Sequence, residues 1–299
     1  MELNFEIPNL TGKITIVTGA NSGIGLETAR AFTAHGATVV MACRNPAKAQ
    51  SAASEIRNIN PKAKLDLLEL DLASLESVRK FADDFSTKYN QLDILANNAG
   101  VMALPEHHKT ANDFEMQFGT NHLGHYALTG LLLPLIKKTP GARVVTVSSQ
   151  AHKFGKFDPE NLNAEKGYQK MGAYGLAKLS NLLFTYSLQH KFKQFNINAI
   201  AAAAHPGWTA TNLQKYSSVF MFGNKLFAQS PPMGALPTIR AAVAIDVKGG
   251  DYYGPDSWGG WCGQAVKVQS NTASHNEADA QALWEVSEKL TAVQYNFET

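Results

Sequence analysis

The stretch Thr18-Gly19-Ala20-Asn21-Ser22-Gly23-Ile24-Gly25 decides how this chain reads. Before it stands Ile14-Thr15-Ile16-Val17, a β-branched segment that reads as a buried parallel strand. After it, Leu26 to His35 carries a helical pattern that Gly36 ends. Three glycines between a strand and a helix let the backbone turn sharply and meet a ligand with no Cβ in the way. The free N–H groups and positive dipole end of the helix favour a bound pyrophosphate. The spacing is G-x-x-x-G-x-G rather than G-x-G-x-x-G. A glycine turn also serves as a plain βα connection, so the rest of the chain has to decide.

Working outward, strand patterns alternate with helical ones, which implies βαβ units and a parallel sheet. Strands are expected at 38–42, 65–70, 92–96, 143–147 and 197–201. Helices are expected at 46–60, from the cap Ser74 to about 89, at 114–133, at 174–195, at 235–244 and at 279–291. Residues 249–255 read as a turn-rich segment, and no chemistry is assigned to the tail at 249–278. The polar and glycine motifs fall just after strands, at 18–25, 43–45, 71, 97–100, 148–149 and 205–207. In an open α/β sheet ligands bind at the carboxyl ends of the strands, near the point where strand order reverses. Six such segments on one edge favour a dinucleotide site over a set of unrelated loops. The expectation is one doubly wound, Rossmann-type α/β domain spanning 1–299, with a mostly parallel sheet and helices on both faces. Residues 11–150 form its cofactor half and residues 151–299 its catalytic and substrate-loop half.

Composition agrees. The 299 residues are 44% hydrophobic and 17% charged, with a net charge of +2. That balance fits a globular enzyme and offers no basic run for nucleic acid. Cys43 and Cys262 form no disulfide framework and have no metal-ligand spacing. The first ten residues mix Glu, Asn and Pro and read as neither signal nor anchor, and no run of 18 apolar residues occurs. A cytoplasmic location is expected.

The ordered motifs resemble the short-chain dehydrogenase/reductase family: T-G-x-x-x-G-I-G at 18–25, N-N-A-G at 97–100, Asn121, Ser149, and Y-x-x-x-K at Tyr174 and Lys178. The resemblance covers residues 11 to 215, and the segments 42–45, 121–125 and 174–183 are similar to the retinol-dehydrogenase-like branch, whose relatives include the protochlorophyllide reductases. It implies Asn121, Ser149, Tyr174 and Lys178 as the catalytic set. It also implies cofactor contacts at Gly19, Asn21, Ser22, Gly23, Ile24, Gly25, Arg44, Asp71, Leu72, Asn98, Ala99, Gly100, Tyr174, Lys178, Pro206, Gly207 and Thr211. Asn97 and Ala99 would line the adenine ribose, and Asp71 would meet the adenine edge. Asn121 would kink its helix and hold a water. Apart from the resemblance, Ser148 reads as a strand-end cap.

Two of these roles also follow from the residues. Tyr174 and Lys178 are i and i+4, hence on one helix face. An ammonium beside a phenol favours the phenolate and lowers its pKa, which suits proton exchange with a carbonyl or an alcohol. A surface tyrosine beside a solvated lysine is the plain alternative. NAD-selective sites place a carboxylate about 20 residues past the glycines, whereas an Arg there suits a 2′-phosphate. Here Cys43 holds the acidic position and Arg44 follows, so NADP(H) is expected over NAD(H).

The expected function is NADP-dependent interconversion of a carbonyl and an alcohol on a small lipophilic or aromatic substrate. A C=C reductase or a non-catalytic NADP-sensing protein on the same scaffold are the alternatives. No metal is expected, since His122, His125, His152 and His205 match no metal motif. Residues 150–173 make a longer gap than the family's usual one, which in some members covers a dimerisation face and leaves monomer or homodimer open. The apolar segment 216–232 is expected to be a substrate lid, with core packing as the alternative.

Overall fold

The computed structural model describes residues 3–209 and 228–298. Eight strands form one sheet: β1 Ile14–Thr18, β2 Thr38–Cys43, β3 Lys64–Glu69, β4 Ile94–Asn97, β5 Ala142–Val147, β6 Ala199–Ala204, β7 Tyr252–Ser257 and β8 Cys262–Lys267. Their order is β3-β2-β1-β4-β5-β6-β7-β8. The first seven pair in parallel and β8 returns antiparallel to β7. Alternation along the strands divides the core between two faces. Ile16, Val40, Leu95 and Val144 pack on one face with Phe81, Phe85, Tyr126 and Phe184. Val17, Val39, Met41, Ala96 and Val145 pack on the other with Phe32, Ala53 and Ile239. The chain is a doubly wound α/β domain with Rossmann-type topology. Strand order reverses between β1 and β4, which opens the crevice at the ends carrying Gly19 and Asn98.

The helices are α1 Gly23–Ala34, α2 Pro46–Ile59, α3 Leu75–Lys88, α4 Met116–Phe118, α5 Gly124–Leu131, α6 Leu133–Lys138, α7 Lys170–Gln194, α8 Pro231–Val243 and α9 Glu277–Thr291. The continuous helix expected at 114–133 is instead broken. Glu115 caps α4 by accepting from the N–H groups of Gln117 and Phe118, and a π-turn, Gly119–Leu123, separates α4 from α5. The helix expected from Tyr174 begins at Lys170, so Tyr174 sits in its second turn.

The turn-rich reading of 249–255 is also corrected, because β7 runs through it. Gly254 and Pro255 concealed that strand, since proline cannot donate to a ladder. β7 pairs with β6 only at Tyr252 and Tyr253, so Pro255 lies past the end of β6. β6 itself runs to Ala204, beyond the expected 201. Its alanines let the two faces close on a thin strand, and burial outweighs their weak strand preference.

Leu162, from the long 150–173 segment, packs on Leu176, Leu179 and Leu183 of α7. The C-terminal Trp284, Val293 and Phe297 lie in the same cluster as Tyr126 and Phe184. Among the described residues no helix is long and apolar enough to cross a membrane. The lid expected at 216–232 falls outside the described residues except for 228–232, of which Pro231 and Pro232 open α8.

Candidate active site

A cleft of about 270 Å³ lies at the crevice. Gly19, Asn21, Ser22, Gly23, Ile24 and Gly25 line it from the β1–α1 turn, and Arg44 from the end of β2. Asp71 and Leu72 line it after β3, and Asn98, Ala99 and Gly100 after β4. Ser22 makes no side-chain cap and the first turn of α1 holds no carboxylate, whereas Asn45 and Ser74 cap α2 and α3. The first-turn N–H groups of α1 are therefore free to receive an anion. A Cβ on Gly25 would lie 2.4 Å from the Gly19 carbonyl oxygen and 2.6 Å from Asn98 Nδ2. Only glycine lets the turn and the helix close on each other there. These residues fit the pyrophosphate of a dinucleotide.

Cys43 does not stand in for a ribose-binding carboxylate. Its thiol is buried against the backbone of Ala20 and Asn21, and burial pushes it up to about 11. The exposed cations at the rim are Arg44 and, one helical turn on, Lys48, which sequence reasoning missed. Its signal was Pro46 and the Asn45 cap, whose bond to the Lys48 N–H starts α2 there and brings that residue to the strand end. Asn97 is corrected: it is buried and donates to Thr129 Oγ1 at 3.0 Å, and it is Asn98 that reaches the cleft.

Asn121 lies in the π-turn, fully buried, where Oδ1 accepts from the Val101 N–H at 2.8 Å and Nδ2 donates to the Val101 carbonyl at 2.9 Å. The helix is interrupted where the resemblance implied, and the asparagine side chain holds the loop that follows β4. Its carbonyl accepts from His125 Nδ1 at 2.9 Å.

Tyr174, Lys178 and Ser149 come together beside the end of β5. Tyr174 and Lys178 are both buried, with the Lys178 nitrogen 5.7 Å from the centre of the Tyr174 ring. Lys178 Nζ donates to the Val147 carbonyl at 2.9 Å, and Asn181 Nδ2 donates to the same oxygen at 3.0 Å. Burial pushes Lys178 down to about 8 and Tyr174 up to about 12, a rise that a hydrogen bond with Ser149 opposes. The depressed phenol expected from the i, i+4 pair is thus not found: the ammonium is spent on a carbonyl and desolvation dominates. The two serines divide as expected, Ser149 beside Tyr174 and Ser148 turned into the core. Ser149 Oγ caps the 3₁₀ turn Gln150–Phe154 by accepting from the Ala151 N–H, while buried Ser148 donates to the Lys178 carbonyl at 2.8 Å. Pro206 and Gly207 follow β6, where the Pro206 carbonyl accepts from Thr209 Oγ1 and Gln229 Nε2. Thr211 lies outside the described residues.

A family model described as short chain dehydrogenase matches residues 13–219. The chain belongs to the short-chain dehydrogenase/reductase family. Retinol dehydrogenase 12 of Mus musculus is 38% identical over 297 residues, covering 98% of this chain and 89% of its own. Retinol dehydrogenase 11 of Homo sapiens is 38% identical over 283 residues, covering 93% and 85%. Similarity at this level over most of the chain sets it in the retinol-dehydrogenase-like branch. A crystal structure of an uncharacterized Mycobacterium paratuberculosis protein is 38% identical with a TM-score of 0.83, covering 97% of each chain. A short chain dehydrogenase from Escherichia coli CFT073, complexed with NADPH, is 25% identical with a TM-score of 0.65, covering 82% of this chain and 96% of that one.

His152 and His205 both serve structural hydrogen bonds. His152, adjacent to the site, has Nδ1 against the Ser149 carbonyl at 2.6 Å and Nε2 against the Asn271 N–H at 3.2 Å. A neutral ring with both nitrogens engaged has no proton to spare for a substrate. His205 Nδ1 accepts from the Gly207 N–H at 3.3 Å, and burial pushes this ring down to about 3. Among the described residues no group of three His, Cys, Asp or Glu is placed to hold a metal ion.

Proposed function

We propose that this chain is an NADP(H)-dependent oxidoreductase that interconverts a carbonyl and an alcohol, with a lipophilic or aromatic ketone or aldehyde as its substrate. The observation that carries the reading is the group formed by buried Tyr174 and Lys178 with half-buried Ser149, at the strand edge that also bears the dinucleotide cleft. The nicotinamide, when bound, supplies or accepts the hydride. Ser149 steadies the carbonyl oxygen with its hydroxyl, and Tyr174 gives that oxygen its proton, or takes it back in the reverse direction. Lys178, on the same helix face, stands with its nitrogen 5.7 Å from the centre of the Tyr174 ring and anchored on the Val147 carbonyl. Asn121 positions the loop at 97–101. Arg44 and Lys48 would meet a 2′-phosphate, and the NADPH complex of the E. coli relative supports that preference. The retinol dehydrogenase relatives support a lipophilic substrate.

The test is NADPH oxidation by the purified protein against a panel of ketones, aldehydes and retinoids. Turnover of an aldehyde or ketone to its alcohol is the expected result. Tight NADPH binding with no substrate turned over would make the protein a cofactor sensor. Saturation of a C=C bond with the carbonyl untouched would make it an ene reductase.

A further inference from the structure

The hairpin joining β7 to β8 ends in Trp258-Gly259-Gly260-Trp261, a tip with two large aromatic side chains where turn chemistry calls for small polar ones. Trp258 is 69% and Trp261 44% exposed. The tip is bonded to the two loops that flank the reacting groups. Gln150, next to Ser149, donates from Nε2 to the Gly259 carbonyl at 3.3 Å. Trp208, next to Gly207, donates its N–H to the Trp261 carbonyl at 2.7 Å. The rings of Trp208 and Trp261 lie 5.1 Å apart at 44°. Gly260, at φ +88°, allows this approach: a Cβ there would stand 2.4 Å from Gln150 Nε2 and 3.4 Å from His205 Cε1.

We infer that this hairpin tip is a specificity element of the active site, in which Trp261 beside Trp208 forms an aromatic wall for the flat apolar body of a carbonyl substrate. The inference rests on the proposed carbonyl chemistry for its occupant and on the hairpin bonds for its place. Large exposed apolar groups bonded to the loops beside Ser149 and Gly207 offer a ligand surface, and indole rings favour conjugated or aromatic partners. The one carboxylate at the tip, Asp256, accepts from Ser257 Oγ and the Gln264 N–H within the hairpin. The wall therefore presents rings rather than charge.

The test is equilibrium binding of naphthaldehyde to the NADP+-loaded protein, followed by calorimetry, in wild type, Trp261→Ala and Trp261→Phe. Trp261→Ala should weaken naphthaldehyde about tenfold, and Trp261→Phe by no more than about threefold, with NADP+ affinity unchanged in both. Unchanged naphthaldehyde affinity in Trp261→Ala, equal losses in both variants, or no binding by wild type would overturn the assignment. Binding is read without turnover, so the outcome is separate from that of the carbonyl screen. A wild type that binds naphthaldehyde at Trp261 yet reduces no carbonyl would refute the proposed activity and leave the aromatic wall standing.

Discussion

The imidazole Nε2 of His125 lies 2.9 Å from the hydroxyl oxygen of Thr18, deep in the core between α5 and the end of β1. The tautomer follows from the other nitrogen. Nδ1 faces the Asn121 carbonyl, which can only accept, so Nδ1 carries the proton and Nε2 accepts from Thr18. Thr18 Oγ1 in turn accepts from the N–H groups of Asn98 and Ala99, each at 2.9 Å. One chain of hydrogen bonds thus links the strand end before Gly19, the loop after β4 and the π-turn that carries Asn121.

Breaking that chain should loosen both halves of the site. Thr18→Val leaves buried His125 Nε2 without its donor and the Ala99 N–H without its acceptor, and an unmade buried hydrogen bond costs about 1–3 kcal/mol. The melting temperature should fall and NADPH affinity with it. A Thr18→Val protein with unchanged melting and unchanged NADPH binding would show that the chain does not position the loops.

Tyr174→Phe should lower turnover by about 10²–10⁴-fold, the usual contribution of general acid catalysis. Cofactor binding should stay near normal, because the change leaves the glycine turn at 18–25 intact. Steady-state kinetics and NADPH titration separate the two. Retention of more than a tenth of wild-type turnover would move the proton donor to another group.

Arg44→Ala should remove the preference for NADPH over NADH, and adding Lys48→Ala should weaken NADPH further without touching NADH. Each cation sits at the rim of the cleft, and the 2′-phosphate is the anionic group that NADPH carries and NADH lacks. Titration of both cofactors decides. Equal affinities in wild type would refute the selectivity.

Lys178 loses its proton at about 8 in the buried site. If its ammonium serves the reaction, carbonyl reduction should decline as pH rises through that value. Lys178→Met should lower activity at every pH and flatten this limb of the profile. A wild-type profile level from pH 7 to 9 would contradict the role.

Stability should fall in acid through the buried histidines. Burial holds His125 at about 4 and His122 and His205 at about 3, against 6.5 when free. These rings stay neutral in the fold while the unfolded chain takes up protons, so stability is intact above about pH 6.5 and drains between there and about pH 4. Each ring contributes a slope approaching about 1.4 kcal/mol per pH unit in that window. Chemical denaturation across the window reads the slope, and a flat result would show that the rings protonate within the fold.

Local chemistry makes much of this protein legible in its sequence. The β-branched runs before Gly19 and at 38–42, the cap Ser74, and the i, i+4 spacing of Tyr174 and Lys178 depend on near neighbours, so composition and periodicity expose them. Tertiary structure alone decided the rest, because it depends on what lies across the fold. Lys178 sits on the face expected, yet its charge is governed by burial and by the Val147 carbonyl. Asn121 is an odd residue for a helix, but the π-turn and its grip on Val101 arise from a loop 20 residues away. Lys48 joins the cleft only because α2 starts at the end of β2. The β7–β8 hairpin was hidden by Gly254 and Pro255, residues that weaken a strand locally and are tolerated here because β6 ends before them. Sequence determined which groups can react; packing decided which of them are desolvated, which are already spoken for, and which aromatic rings stand at the door.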